Sequence, residues 1–253
     1  MSYPSDLEDE QWDLISQHFV YGNYGNRARH NKRALVNAVF YLTKTGCQWR
    51  QLPHFPPWPT VHSFYHRAKK RGIWEKIMRS LVEKSRINMG RNANPTYSLI
   101  DSQSVKTTYC AQDRGIDGGK KVKGRKRHIV TDTQGHMLHV TIHAANTHDT
   151  VAGCDVFEKA LQKYPSLEGV CADAGYRKTM EEFVRGLNKT IEISARLSKE
   201  WTILAKRWVV ERTLGWLNGY RRLSKDYEIS LSSSENYVMI AHSMTLLSRL
   251  AKS

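Results

Sequence analysis

The chain has 253 residues, 40% of them hydrophobic, enough to bury a full core in one large or two modest domains. Its 39 lysines and arginines stand against 24 acids, a formal charge of +15 that concentrates polyanions at the surface and makes nucleic acid the leading partner. No apolar run approaches membrane-spanning length, the first residues lack a signal-peptide pattern, and Cys47, Cys110, Cys154 and Cys171 form no Cys-x-x-Cys pair, which argues against a membrane protein, structural zinc or a disulfide framework and fits a reducing cytoplasm.

The first ~90 residues are spaced as helices. Asp9 to Phe19 places Trp12, Ile15 and Phe19 on one stripe, and a basic link from Tyr21 to Arg33 leads to a second helix with Leu35, Val36, Val39, Phe40 and Thr43 on one face, stopped at Gly46. Pro53, Pro56, Pro57 and Pro59 forbid regular helix in the connector that follows. A third helix is expected from Thr60 to Arg71. It carries His62, Ser63 and Tyr65 early and Arg67, Lys69 and Lys70 late, the layout of a recognition helix that meets bases with its first half. A fourth presents Ile73, Trp74, Ile77, Met78, Leu81 and Val82, and Gly90 to Pro95 reads as a linker between a helical region, 1–90, and a second unit, 95–253.

Beyond the linker the period becomes that of strands: Tyr97 to Asp101, a basic Gly-rich excursion from Thr107 to Lys126, then a hairpin of Arg127 to Asp132 and His136 to His143 about Thr133-Gln134-Gly135. In that hairpin Leu138, Val140 and Ile142 are expected on one face, with Met137, His139, Thr141 and His143 on the other. Helix Thr150 to Tyr164, strand Gly169 to Asp173, helix Thr179 to Asn188, strand Thr190 to Ser194 and a helix from about Ile203 to Tyr220 follow. Ser232-x-x-Glu235 has the spacing of a capping box for a last helix bearing Val238, Ala241, Thr245 and Leu247.

Three carboxylates sit where apolar elements end or are buried: Asp101 and Asp173 after short strands, Glu211 inside a helix one turn from Arg207. Converging acids repel unless a divalent cation neutralises them, and such a site is what two-metal phosphoryl transfer requires. The run from Lys120 to Arg127 packs Lys120, Lys121, Lys123, Arg125, Lys126 and Arg127 into eight positions and reads as a phosphate-contacting loop; Arg221, Arg222 and Lys225 add a second basic patch beyond the Glu211 helix. The histidines 128, 136, 139, 143 and 148 lack the spacing of a metal cluster and are expected on the surface or flanking the site.

The order of these segments resembles the DDE transposases of bacterial insertion sequences, specifically the insertion sequence 5 family. The resemblance is carried by Tyr3-Pro4-Ser5-Asp6-Leu7, Thr45 to Pro53, Phe55-Pro56-Pro57-Trp58, Ile100 to Lys106, Lys123 to His128, Ala172-Asp173-Ala174-Gly175-Tyr176 and Arg207 to Tyr227. It implies an α/β, ribonuclease H-like catalytic core, a mixed sheet flanked by helices, preceded by an all-helical N-terminal DNA-binding region. It also implies that Asp101, Asp173 and Glu211 bind two Mg²⁺ or Mn²⁺ ions, with no organic cofactor. The partners implied are double-stranded DNA, as terminal inverted repeats and target, and a second copy of the chain in a homodimer or larger DNA complex in the bacterial cytoplasm. Where related chains carry Tyr and Lys around the glutamate, this one has Leu204 and Asn218, which leaves Arg221, Arg222 or Lys225 to take over the contact of that Lys. A catalytically silent DNA-binding regulator, or a nuclease that cuts without joining, would share the same core.

Overall fold

The structure is a computed structural model and describes residues 3–20, 30–194 and 207–251. The link from Tyr21 and the expected helix start near Ile203, with Leu204, fall largely or wholly outside them. Four helices come first: α1 (Asp9–Ile15), continued by a 3-10 turn over Ser16–Phe19, α2 (Lys32–Thr45), α3 (Trp58–Lys70) and α4 (Ile73–Asn88). Gly46 ends α2 in the left-handed region at φ 70°, as its position after the last apolar residue suggests. Pro59 sits in the first turn of α3, where its missing N–H costs nothing, so that helix starts two residues before Thr60.

The second part is a six-stranded sheet of β1 (Tyr97–Lys106), β2 (Gly115–Asp117), β3 (Val122–Asp132), β4 (Met137–Ala144), β5 (Gly169–Asp173) and β6 (Thr190–Ser194). β3 lies antiparallel to β1, with β2 and β4 sharing its outer edge end to end; β5 is parallel to β1 and β6 parallel to β5. Antiparallel hairpins on one side and parallel crossovers on the other are the ribonuclease H-like arrangement. Helices α5 (Asp149–Lys163) and α6 (Thr179–Gly186) form the crossovers, and α7 (Trp208–Leu217) and α8 (Leu231–Leu250) close the chain.

Three expectations change. β1 and β3 are longer than their apolar cores, so the basic run from Val122 to Arg127 is paired strand rather than loop. The hairpin has no solvent face at its start: α5 packs on β3 and β4, α8 also packs on β4, and Met137, Leu138, His139 and Val140 are all buried. The cap of α8 is Ser230, which accepts from the Ser233 N–H, while Glu235 accepts the backbone N–H of Ile142 at 3.0 Å. His242 accepts that of Met137 at 2.9 Å, so α8 satisfies two donors of β4.

The helical region and the sheet differ in element type, yet their buried side chains form one cluster from Leu7 to Leu247, because α8 packs against α1, α2 and α4 as well as β4. Tyr65 illustrates this continuity: it is buried, stacked on Tyr237 of α8 at 5.1 Å between centroids.

Candidate active site

Asp101 lies in the middle of β1, not at its end. What ends nearby is the parallel pairing: β1 and β5 are last joined at Leu99 and Cys171, and Asp101 and Asp173 each stand two residues beyond that pair. Both carboxylates therefore emerge at the same level, where the strands part, on the carboxyl side of the parallel sheet. Asp101 Oδ1 accepts the Ser102 N–H at 2.7 Å. One oxygen of Asp173 caps the following turn through the Gly175 N–H at 2.7 Å, while the other lies 3.7 Å from Arg207 Nη2.

Glu211 reaches the group from α7, which is moored to the β3–β4 turn: Thr213 Oγ1 donates to the Gly135 carbonyl at 2.8 Å and Arg212 Nη2 to that of Gln134 at 2.8 Å. The same nitrogen of Arg207 that faces Asp173 donates to Glu211 Oε1 at 3.1 Å, the one-turn pair expected from the sequence. Arg207 thus bridges Asp173 and Glu211, and its charge also reaches the Asp101 carboxyl. Burial pushes the Asp101 carboxyl up to about 6, helped by the Asp173 charge and opposed by the Ser102 N–H and the cations of Arg207 and Lys120. Among the described residues no three acid, histidine or cysteine side chains lie close enough to grip an ion jointly. Three hard oxygen donors compensated by a movable cation nevertheless fit a divalent metal once Arg207 yields its place.

A buried network absent from the expectations supports this floor. Tyr176 donates or accepts at His128 Nε2 (2.7 Å), His128 meets His143 (3.2 Å), and Ser102 donates to Asp149 (2.9 Å), which pairs with Lys126 at 3.0 Å. Tyr176 is the last residue of the turn that Asp173 caps, so this chain of bonds fixes the turn that aims the carboxylate. Its sequence signal was present in Ala172-Asp173-Ala174-Gly175-Tyr176, but burial of the histidines came from helices packed on both faces of the hairpin. His128, His136 and His139 are buried rather than superficial, and only His148 of that group is exposed.

Of the cations expected on DNA, several are internal. Arg125 is fully buried, bonded to Asp226 at 2.9 Å and to the carbonyls of Gln112, Glu228 and Ile229. Lys126 is spent on Asp149 and the Thr147 carbonyl, and Arg127 is buried beside Gln103 with its guanidinium pushed down to about 10 by burial. Arg222 grips Glu228, the Cys47 carbonyl and the Tyr237 ring. Tyr65 is core, so it reads no base. Alternation along β3 explains part of this: a cation on a strand covered on both faces has to find an internal partner. Lys120, Lys121, Lys123 and Arg221 stay exposed and Lys225 half-exposed; on α3, Arg67 and Lys70 are exposed, while His62 and Lys69 are half-buried, the latter donating to Ser233 at 2.9 Å. Lys120 Nζ donates to the Ser102 carbonyl at 3.2 Å, at the lip of the acid group, and Asn218 accepts from Gln103 at 3.4 Å.

Both parts of the chain are similar to known proteins. The family described as "Transposase DDE domain" matches residues 93–246, more than half of the chain, and "Putative transposase of IS4/5 family" matches residues 7–78. The putative transposase for insertion sequence element IS402 of Burkholderia cepacia is 34% identical over 119 residues, 42% of this chain and 54% of that protein, so the match spans about half of that relative. The uncharacterized protein y4sN of Sinorhizobium fredii (strain NBRC 101917 / NGR234) is 28% identical over 116 residues, 45% of this chain and 87% of that one. A crystal structure of the Mos1 mariner paired end complex with Mn aligns over 95% of this chain and 85% of its own, at 12% identity and a TM-score of 0.25, too loose a superposition to transfer geometry. The chain belongs to the DDE transposases of the IS4/5 type.

Proposed function

We propose that this transposase cuts DNA at the ends of an insertion sequence and joins them to a target at a site made by Asp101, Asp173 and Glu211. The observation that carries the reading is that Asp101 and Asp173 emerge at one level from diverging parallel strands while Arg207 bridges Asp173 to Glu211 of α7. These oxygens suit Mg²⁺ or Mn²⁺, two ions of which, when bound, supply activation of the attacking oxygen and stabilisation of the leaving one. Asp173 is pre-aimed by its cap to Gly175 and Glu211 by the mooring of α7, so little reorganisation is needed at these two ligands. Arg207, released from the acids, becomes available to the scissile phosphate, and Lys120 stands beside it.

The exposed cations distribute along the two parts. Lys121, Lys123 and Arg221, with the half-exposed Lys225, are cations on the catalytic part for DNA phosphates away from the acids, and α3 offers Ser63, His66, Arg67 and Lys70 as the face that meets the terminal repeats, with His62 at its margin. This assigns end recognition to 1–90 and chemistry to 95–253. Two ends joined in one event require at least two copies on the DNA.

Purified protein incubated with Mg²⁺, labelled element-end duplex and a target plasmid tests the reading. Asp101→Asn, Asp173→Asn and Glu211→Gln are each expected to lose cleavage and joining while keeping duplex binding within about twofold, since no DNA-positioning cation is removed. Cleavage retained by Asp173→Asn overturns the assignment, and cutting without joining in the unaltered protein points to a nuclease instead.

A further inference from the structure

The far end of β1 carries a feature that a duplex-binding surface does not need. Lys106, Tyr109, Arg114, Lys121, Lys123 and Lys225 line a cup of about 400 Å³, within the range of pockets for small ligands, roughly 300–1,000 Å³. None of the residues lining it is acidic. Among the described residues Lys106, Lys121 and Lys123 make no side-chain hydrogen bond or ion pair, and Arg114 donates only to the carbonyl of Thr108. Tyr109 leaves 88% of its surface exposed, the most of any large hydrophobic side chain described.

The loop bearing Tyr109 is nonetheless held. The Thr108 N–H donates to the Asp226 carbonyl at 3.3 Å, the Gln112 N–H to that of Ile229 at 3.0 Å, and the buried Arg125 donates to the Gln112 carbonyl. An anchored, exposed aromatic ring beside three unpaired lysines has the chemistry of a single-strand site, in which phosphates meet the cations and a base stacks on the ring. A duplex buries its base faces and offers Tyr109 nothing to stack on. Lys106 lies five residues along β1 from Asp101, about 17 Å at the rise of a strand, so a strand leaving the acids reaches the cup.

We infer that this cup binds an unpaired nucleotide of the DNA strand adjoining the reacting phosphate, with its base on Tyr109 and its phosphates on Lys106, Lys121 and Lys123. The inference rests on DNA being the substrate but not on the assignment of the three acids, and its test is made in chelator without metal. Binding of a blunt hairpin duplex is compared with that of the same duplex bearing a single-stranded extension of about six nucleotides, containing 2-aminopurine, within the usual site size for such surfaces. The extension is expected to raise affinity and its fluorescence to be quenched on binding. Tyr109→Ala should abolish the quenching and lose roughly tenfold in affinity for the extended duplex alone, Tyr109→Phe should keep both, and blunt-duplex affinity should stay within about twofold in each. Lys121→Gln with Lys123→Gln should lower the salt slope for the extended duplex by about 1.4 units, the single-strand value for two phosphate contacts. An extension that adds no affinity, or a Tyr109→Ala loss equal for both duplexes, overturns the inference; failure to bind even the blunt duplex instead overturns DNA as the substrate.

Discussion

Burial sets the folded chain against the charge of Asp101. Its carboxyl is pushed up to about 6 by burial and by Asp173, so above that pH the native state carries a charge that it disfavours relative to the unfolded chain. Asp101→Asn keeps an acceptor for the Ser102 N–H and removes the charge. It is expected to raise metal-free stability at pH 7.5 by on the order of 2 kcal/mol, read as a higher melting temperature in chelator. An unchanged or lower melting temperature means that Arg207 already neutralises the pair. The same does not extend to Glu211, whose half-exposed pair with Arg207 is worth under about 1 kcal/mol.

At the scale of elements, β3 does two jobs, and the sequence displays only one of them. Its cations look like a uniform phosphate loop, but pairing to β1 turns Arg125, Lys126 and Arg127 inward, and only Lys123 of the strand remains outside. Arg125 ties β3 to the segment after α7, through Asp226 and two carbonyls beyond it. Asp226→Ala leaves that guanidinium buried without its carboxylate and is expected to cost about 3–5 kcal/mol, measured by denaturant unfolding; a loss below 1 kcal/mol would mean the carbonyls suffice. Gly124 permits this pairing, since a Cβ there would sit 1.9 Å from the Val105 carbonyl oxygen.

What could be read in advance follows the same division. Periodicity located each α-helix among the described residues and five of the six strands, missing the three-residue β2, because apolar spacing is a local property, and the one-turn relation of Arg207 to Glu211 needed only the helix. The level at which Asp101 and Asp173 emerge depends on register between strands some 70 residues apart in sequence, and the inward turn of the β3 cations depends on what covers them. Tyr65 reads from the sequence as a base contact and proves to be core for that reason: its partner, Tyr237, comes from the opposite end of the chain.

For the molecule as a whole, acid is the weak side. His139 and His242 are pushed down to about 3 by burial, and His128 is pushed down by burial and by His143. Folded values below the unfolded 6.5 mean that the unfolded chain takes up protons first as pH falls. Stability is therefore full above pH 6.5 and lost toward pH 3, at ~1.4 kcal/mol per pH unit for each histidine, or about 2 kcal/mol each by pH 5. Melting temperature, followed at high salt to screen the charge of +15, is expected to fall steeply between pH 6.5 and 5. The fall should be shallower in His242→Gln, which can still accept from Met137 but does not titrate. A flat profile would show these rings protonated in the native state.

The two side-chain acceptors that α8 lends to β4 act as a substitute strand. β4 has a neighbour on one side only, and an open row of N–H groups there would template pairing with another copy whenever DNA crowds several together. With Met137 and Ile142 already engaged by His242 and Glu235 and α8 packed against the strand, two of those open donors are taken and the border is covered. Copies brought close together thus find sheet extension along β4 obstructed as a route to clumping, which leaves helices and loops as the surfaces through which they can meet.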